Sequence, residues 1–207
     1  MGPDDQDASV WIILRNGSLT RQKADGRETT DGLSIVPSFN LIGSRGADDH
    51  DALRGMDDIS RAGEIGFQVA YDQGPARGYI ALRKGFGGYK GLVGEFGARY
   101  QYAATDRLTI TPRAEAQFSS DDFTETYFGV TADESITSGY DAYAPGGGIY
   151  SAAIEVEARY AVTDTMAVLG EFRYTRLLGD AADSPIVQDK DQPSVRLGVV
   201  RRFSTGF

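Results

Sequence analysis

The chain has 207 residues, is 41% hydrophobic and carries a formal net charge of -9 at pH 7. That length suits one domain, no stretch approaches the roughly 20 apolar residues of a membrane-spanning helix, and the acidic balance excludes a protein that binds nucleic acid by neutralising phosphates. Absent cysteine removes disulfides, zinc-thiolate sites and thiol catalysis, while 26 glycines, 11 tyrosines and 10 phenylalanines suit strands, tight turns and aromatic girdles.

Residues 1–8 open on Met1-Gly2-Pro3-Asp4-Asp5, with neither the basic nor the apolar region of an export signal. They are expected to be a disordered segment before a single domain over residues 9–207, and an exported protein would have lost its leader before this point. Strands are predicted near 9–15 and 18–24, joined by the hairpin dipeptide Asn16-Gly17, and near 33–43. Residues 63–71 alternate clearly, with Ile65, Phe67, Val69 and Tyr71 opposing Glu64 and Gln68. A weaker strand at 77–84 leads into Gly85-Phe86-Gly87-Gly88-Tyr89-Lys90-Gly91. That run resembles a dinucleotide loop only superficially, because no helix follows it, and it reads as a hairpin tip.

Alternation returns in 91–102, where Leu92, Phe96, Ala98, Tyr100 and Tyr102 oppose Glu95, Arg99 and Gln101. In 107–118, Leu108, Ile110, Ala114, Ala116 and Phe118 oppose Arg113, Glu115 and Gln117, with Pro112 as a blemish because it cannot donate to a ladder. The clearest case is 148–161, where Tyr150, Ala152, Ile154, Val156, Ala158 and Tyr160 face away from Glu155, Glu157 and Arg159. Residues 165–175 oppose Met166, Val168, Phe172 and Tyr174 to Glu171 and Arg173, and a last strand is placed at 194–203.

About ten strands result, all antiparallel. Apolar faces flanked by aromatics, polar residues on the other parity and an even strand number together predict an all-β transmembrane barrel of a Gram-negative outer membrane. Phe96, Ile154, Val156 and Phe172 are expected to face lipid. Short links at 72–76, 103–106 and 162–164 alternate with long ones at 44–62, 119–147 and 178–192, as periplasmic turns alternate with outer loops.

The three long links hold 15 of the 30 acidic residues and four of the 21 Lys and Arg. Asp121, Asp122, Glu125, Asp133, Glu134 and Asp141 are either a solvated loop surface or a rim that attracts cations, such as divalent ions bridging to lipopolysaccharide. Asp48-Asp49-His50-Asp51 lacks metal-loop spacing. On the inward parity, Glu95, Arg99, Arg113, Glu115, Glu155, Glu157, Arg159, Glu171 and Arg173, with Glu64, Arg196 and Arg202, are expected to pair and fill a narrow interior. His50 is the single histidine, and the Glu155/Glu157 pair is explained by pairing with Arg159, so no catalytic, cofactor or metal residue is assigned. A narrow cation-attracting channel, an outer-membrane hydrolase that would depend on His50 and a soluble β-barrel remain as rivals.

Four segments carry a family resemblance: Ala52-Leu-Arg-Gly-Met-Asp-Asp-Ile59, Thr126-Tyr-Phe-Gly-Val130, Ser138-Gly-Tyr-Asp-Ala-Tyr143 and Arg176-Leu-Leu-Gly-Asp-Ala-Ala-Asp-Ser-Pro-Ile-Val187. Through them the chain resembles the MltA-interacting protein family, also called the OmpV family, from about Leu33 to Phe203. The resemblance implies an outer-membrane barrel that associates a murein lytic transglycosylase with a bifunctional penicillin-binding protein, or a surface adhesin or antigen. It supplies no catalytic residues.

Overall fold

The computed structural model describes residues 31–201. Among these, nine strands form one antiparallel sheet: β1 (Gly32–Ile42), β2 (Ala62–Gln73), β3 (Ala76–Gly87), β4 (Leu92–Tyr100), β5 (Tyr102–Ala103), β6 (Leu108–Ser119), β7 (Gly148–Ala161), β8 (Met166–Leu177) and β9 (Asp191–Arg201). Their order is β1-β2-β3-β4-β6-β7-β8-β9, with the short β5 on β6, so each long strand pairs with the next in sequence. From 33–43 onward the predicted strands recur with small shifts of their ends. The strand predicted at 91–102 is interrupted at Gln101, whose N–H donates to the Pro75 carbonyl at 2.8 Å, one residue beyond the end of the β3–β4 pairing. Pro112 stays within β6, opposite Val156. The predictions for 1–8, 9–15, 18–24, Asn16-Gly17 and Arg202 lie outside the described residues. Among the described residues no helix is long and apolar enough to cross a membrane.

Side-chain polarity follows the pleat, and its sense is inverted relative to a soluble sheet. Leu33, Ile35, Ile65, Phe67, Ile80 and Leu82 stand exposed on one face, and so do Phe96, Ile154, Val156 and Phe172. The opposite face buries Ser38, Glu64, Arg83, Glu95, Ser151 and Glu155 beside small residues such as Ala81 and Ala153. A sheet in water solvates its polar face and covers its apolar one. Here Ile154 is 60% exposed and its neighbour Glu155 is 6% exposed.

One expected side-chain direction is corrected. Pairing of β6 with β7 slips between Gln117 and Phe118, since Gln117 faces Ser151 while Phe118 faces Ile149. Tyr150 is thus the extra residue of a bulge, which reverses the alternation locally. Ile149 takes the exposed position, and Tyr150 packs against Phe123 and Phe128 with ring centroids 5.0 and 6.3 Å away.

The long connections all leave the same end of the sheet, after β1, β6 and β8, together with the Gly88–Gly91 tip after β3. They are folded rather than loose. They carry a 3-10 turn (Asp51–Leu53) and the helices α1 (Asp121–Phe128), α2 (Ala132–Ser138) and α3 (Gly179–Asp183). α1 lowers Phe123 onto Tyr89, Val93 and Ala62, which seats it on the sheet end. Met56, Val130 and Ile186, one from each long connection, form a second apolar centre above it, with Leu53, Tyr140 and Tyr143 packed around. Arg45 donates to the Tyr127 carbonyl at 2.7 Å, and Ser184 donates to that of Phe128 at 2.5 Å. The three connections therefore make one cap.

Candidate functional site

The polar face is organised around two arginines. Arg83 sits on β3 opposite Gly66, where a Cβ would collide with the Leu82 carbonyl, so the β2 backbone comes close and leaves the guanidinium room. Its Nε donates to Glu64 Oε2 at 2.8 Å, Nη1 and Nη2 donate to the Glu95 oxygens at 3.3 Å each, and Nη1 also reaches Ser38 Oγ at 3.2 Å. Tyr89, from the hairpin tip, donates to Glu64 Oε1 at 2.5 Å. Burying such charges costs desolvation energy, which the ion pairs and hydrogen bonds around Arg83 offset.

The second centre is Arg173 on β8. Nη2 donates to Glu115 Oε1 at 2.8 Å and Nη1 to Glu155 Oε2 at 3.0 Å. Glu115 also accepts from the Tyr79 hydroxyl, and Glu155 receives Arg113 at a longer 3.6 Å. Glu171 pairs with Arg196 at 3.4 Å. Of the residues singled out in the sequence, Glu95, Arg113, Glu115, Glu155, Glu171 and Arg173 are thus brought into ion pairs. Arg99, Glu157 and Arg159 form none with a described residue. Glu157 lies opposite Glu171, and Arg159 stands exposed near the short turns.

Arg77 and Arg83 were not legible as partners. β3 reads weakly because Tyr79 and Ala81 share the polar parity with Arg83, and Lys84 interrupts the apolar one. The signal that could have found them is that Arg77 and Arg83, six residues apart, fall on one parity while Ile80 and Leu82 fall on the other.

Among the loop acids, Asp121, Asp122, Glu125, Asp133 and Asp141 are exposed on the cap. Glu134 is buried and structural. Its carboxylate accepts from Thr131 N at 2.8 Å and Asp57 N at 3.0 Å, while Thr131 Oγ1 accepts from Glu134 N, closing a capping box on α2. Burial by itself would raise the Glu134 pKa, but the two N–H donors and the Thr131 hydroxyl hold it below the ordinary carboxylate value. Among the described residues no group of three His, Cys, Asp or Glu side chains is arranged to hold a metal ion. His50 starts the 3-10 turn, with its carbonyl accepting from Leu53 N at 2.9 Å. A cleft of about 300 Å³ separates the first connection from α1, lined by Arg45, Asp57, Asp58, Glu125 and Thr131.

This sheet with its capped end lies within the part of the sequence that known proteins share. The family model described as "MltA-interacting protein MipA" matches residues 7–203. The MltA-interacting protein of Escherichia coli K12 is 30% identical over 182 residues, covering 85% of this chain and 71% of that protein, and the Shigella flexneri protein of the same name matches equally. On that extent of similarity, the chain belongs to the MltA-interacting protein family.

Proposed function

We propose that this protein is an outer-membrane β-barrel that serves as a scaffold, bringing a murein lytic transglycosylase together with a penicillin-binding protein. The carrying observation is the inverted polarity of the sheet: an apolar face with large exposed side chains on every long strand but β6, where they are half-exposed, needs lipid, and a charge-paired face needs enclosure. Membership of a family named for an interaction supports a binding role over catalysis. The short turns at Gly74-Pro75, 104–107 and 162–165 face the periplasm in this reading, and the cap faces outward with lipopolysaccharide around it. Paired charges on the polar face, and aromatic side chains closing one end, favour a scaffold over an open channel.

The test has two parts. The full chain should extract only with detergent and should migrate faster unboiled than boiled on a denaturing gel. Immobilised in that heat-modifiable form, it should retain a purified lytic transglycosylase and, separately, a penicillin-binding protein. A monomer soluble without detergent would overturn the barrel. Folded protein that retains neither enzyme would overturn the scaffold.

A further inference from the structure

One register row of the sheet is almost entirely charged. Asp72 on β2, Arg77 on β3, Arg99 on β4, Arg113 on β6, Glu155 on β7 and Arg173 on β8 stand side by side on the polar face. Three successive strands thus present arginine with no acid between them. Directly opposed residues have Cβ atoms about 4.5–5.5 Å apart, and like charges so placed destabilise a sheet. The flanking acids relieve only the ends: Asp72 meets Arg77 at 3.4 Å, and Glu155 meets Arg113 at 3.6 Å while also held by Arg173 at 3.0 Å. Arg99, which is exposed, makes no hydrogen bond or ion pair with a described residue; Arg77 and Arg113 repel it from either side, and the more distant Asp72 offsets them only in part. Arg113 Nε is buried and meets no acceptor among the described residues. In a chain of net charge -9, three adjacent arginines of which only the outer two meet an acid break the consistency seen elsewhere on this face.

We propose that Arg77, Arg99 and Arg113 form a binding site for a phosphate-bearing solute on the polar face of the sheet. Each guanidinium presents a planar fork of donors. One fork uses both oxygens of a carboxylate, whereas the oxygens of a tetrahedral phosphate can be divided among three. The occupant is a free solute rather than a lipid headgroup, because Phe96, Tyr100 and the other exposed apolar side chains lie on the opposite face. This site is independent of the enzyme-scaffolding role.

The experiment is calorimetric titration of inorganic phosphate into the full chain folded in zwitterionic detergent, with sodium chloride at matched ionic strength as the control. Saturable binding of phosphate and none of chloride is expected. Arg99→Gln should raise the Kd by roughly tenfold or more, the size of one charge-assisted fork. Arg99→Glu places an acid between two arginines, so it should keep the sheet folded by heat-modifiability and abolish binding. Unchanged binding in Arg99→Glu, or no saturable phosphate binding by the natural chain, overturns the site. If Arg99→Glu does not fold, Arg99→Lys decides, because it keeps the charge and loses the fork; binding as tight as in the natural chain overturns the proposal. Adding phosphatidylglycerol to the micelles should leave the Kd unchanged, and a rise of about tenfold would make the occupant a lipid headgroup, against the proposal.

Discussion

Arg83 concentrates the energetic risk of the polar face in one side chain. It pairs with both Glu64 and Glu95, which are buried, and its own side chain is 9% exposed. Removing one partner of a buried ion pair costs about 3–5 kcal/mol, because the other charge remains without compensation. Arg83→Ala should therefore lower unfolding stability by about that much, and adding Glu64→Gln and Glu95→Gln should recover most of the loss. Urea unfolding in detergent measures both. Glu134 gives a different residue-scale expectation. Its folded-state pKa lies below the ordinary 4.5, so its contribution is complete above about pH 4.5 and fades as pH falls through the folded value. Protection of the Asp57 and Thr131 amides, taken relative to their intrinsic exchange rates, should fall in acid, and Glu134→Ala, costing about 1–3 kcal/mol for two stranded donors, should remove the pH dependence of that protection. The Thr131-x-x-Glu134 spacing is itself a legible helix start. Reading Glu134 with its acidic neighbours concealed this, because a tally of charge has no means of recognising a carboxylate spent on backbone N–H groups.

At the scale of elements, strands were readable because their period is two and survives over nine to fourteen residues. The helices of the cap, five to eight residues long, offer too few turns for a 3.6-residue period to emerge. Tyr150 was misdirected for a related reason: a single inserted residue leaves the alternation on either side intact and changes only their relative phase. The register is testable on the membrane reading. Val156→Arg should cost about 2–4 kcal/mol if the position lies at the bilayer midplane. Thr111→Arg, on the polar face opposite Glu157, should be nearly neutral. Equal losses at the two positions, measured as folded yield in vesicles, would reverse the assignment of faces. Ser151 is unsuitable as that control, since it is 2% exposed and donates to Gln117 at 2.8 Å, so arginine there would be crowded.

For the whole molecule, the order of the sheet was legible because every connection links sequence neighbours. Closure into a barrel leaves no such trace, because it would join segments far apart in the chain and no local pattern records it. β1 and β9 each pair with a single described strand. If residues 9–24 supply two more strands between them, cysteines placed at Ile13 and Val199 should cross-link in the folded full chain and remain separate after boiling. Lack of cross-linking across a scan of positions in both segments would count against a ten-stranded closure.

The cap also has a consequence for the order of folding. Its ties join residues distant along the chain: Arg45 to Tyr127 and Thr137 to Gly55 span 82 residues each, and Ser184 to Phe128 spans 56. Contacts with such separations close last, after the intervening hairpins have shortened the chain between them. Burial of Met56 against Val130 and Ile186 is then a late event that depends on β2 through β8 having already found their partners. A newly made molecule acquires its capped end only once its sheet is in register, so anything that recognises the cap distinguishes finished molecules from those still assembling.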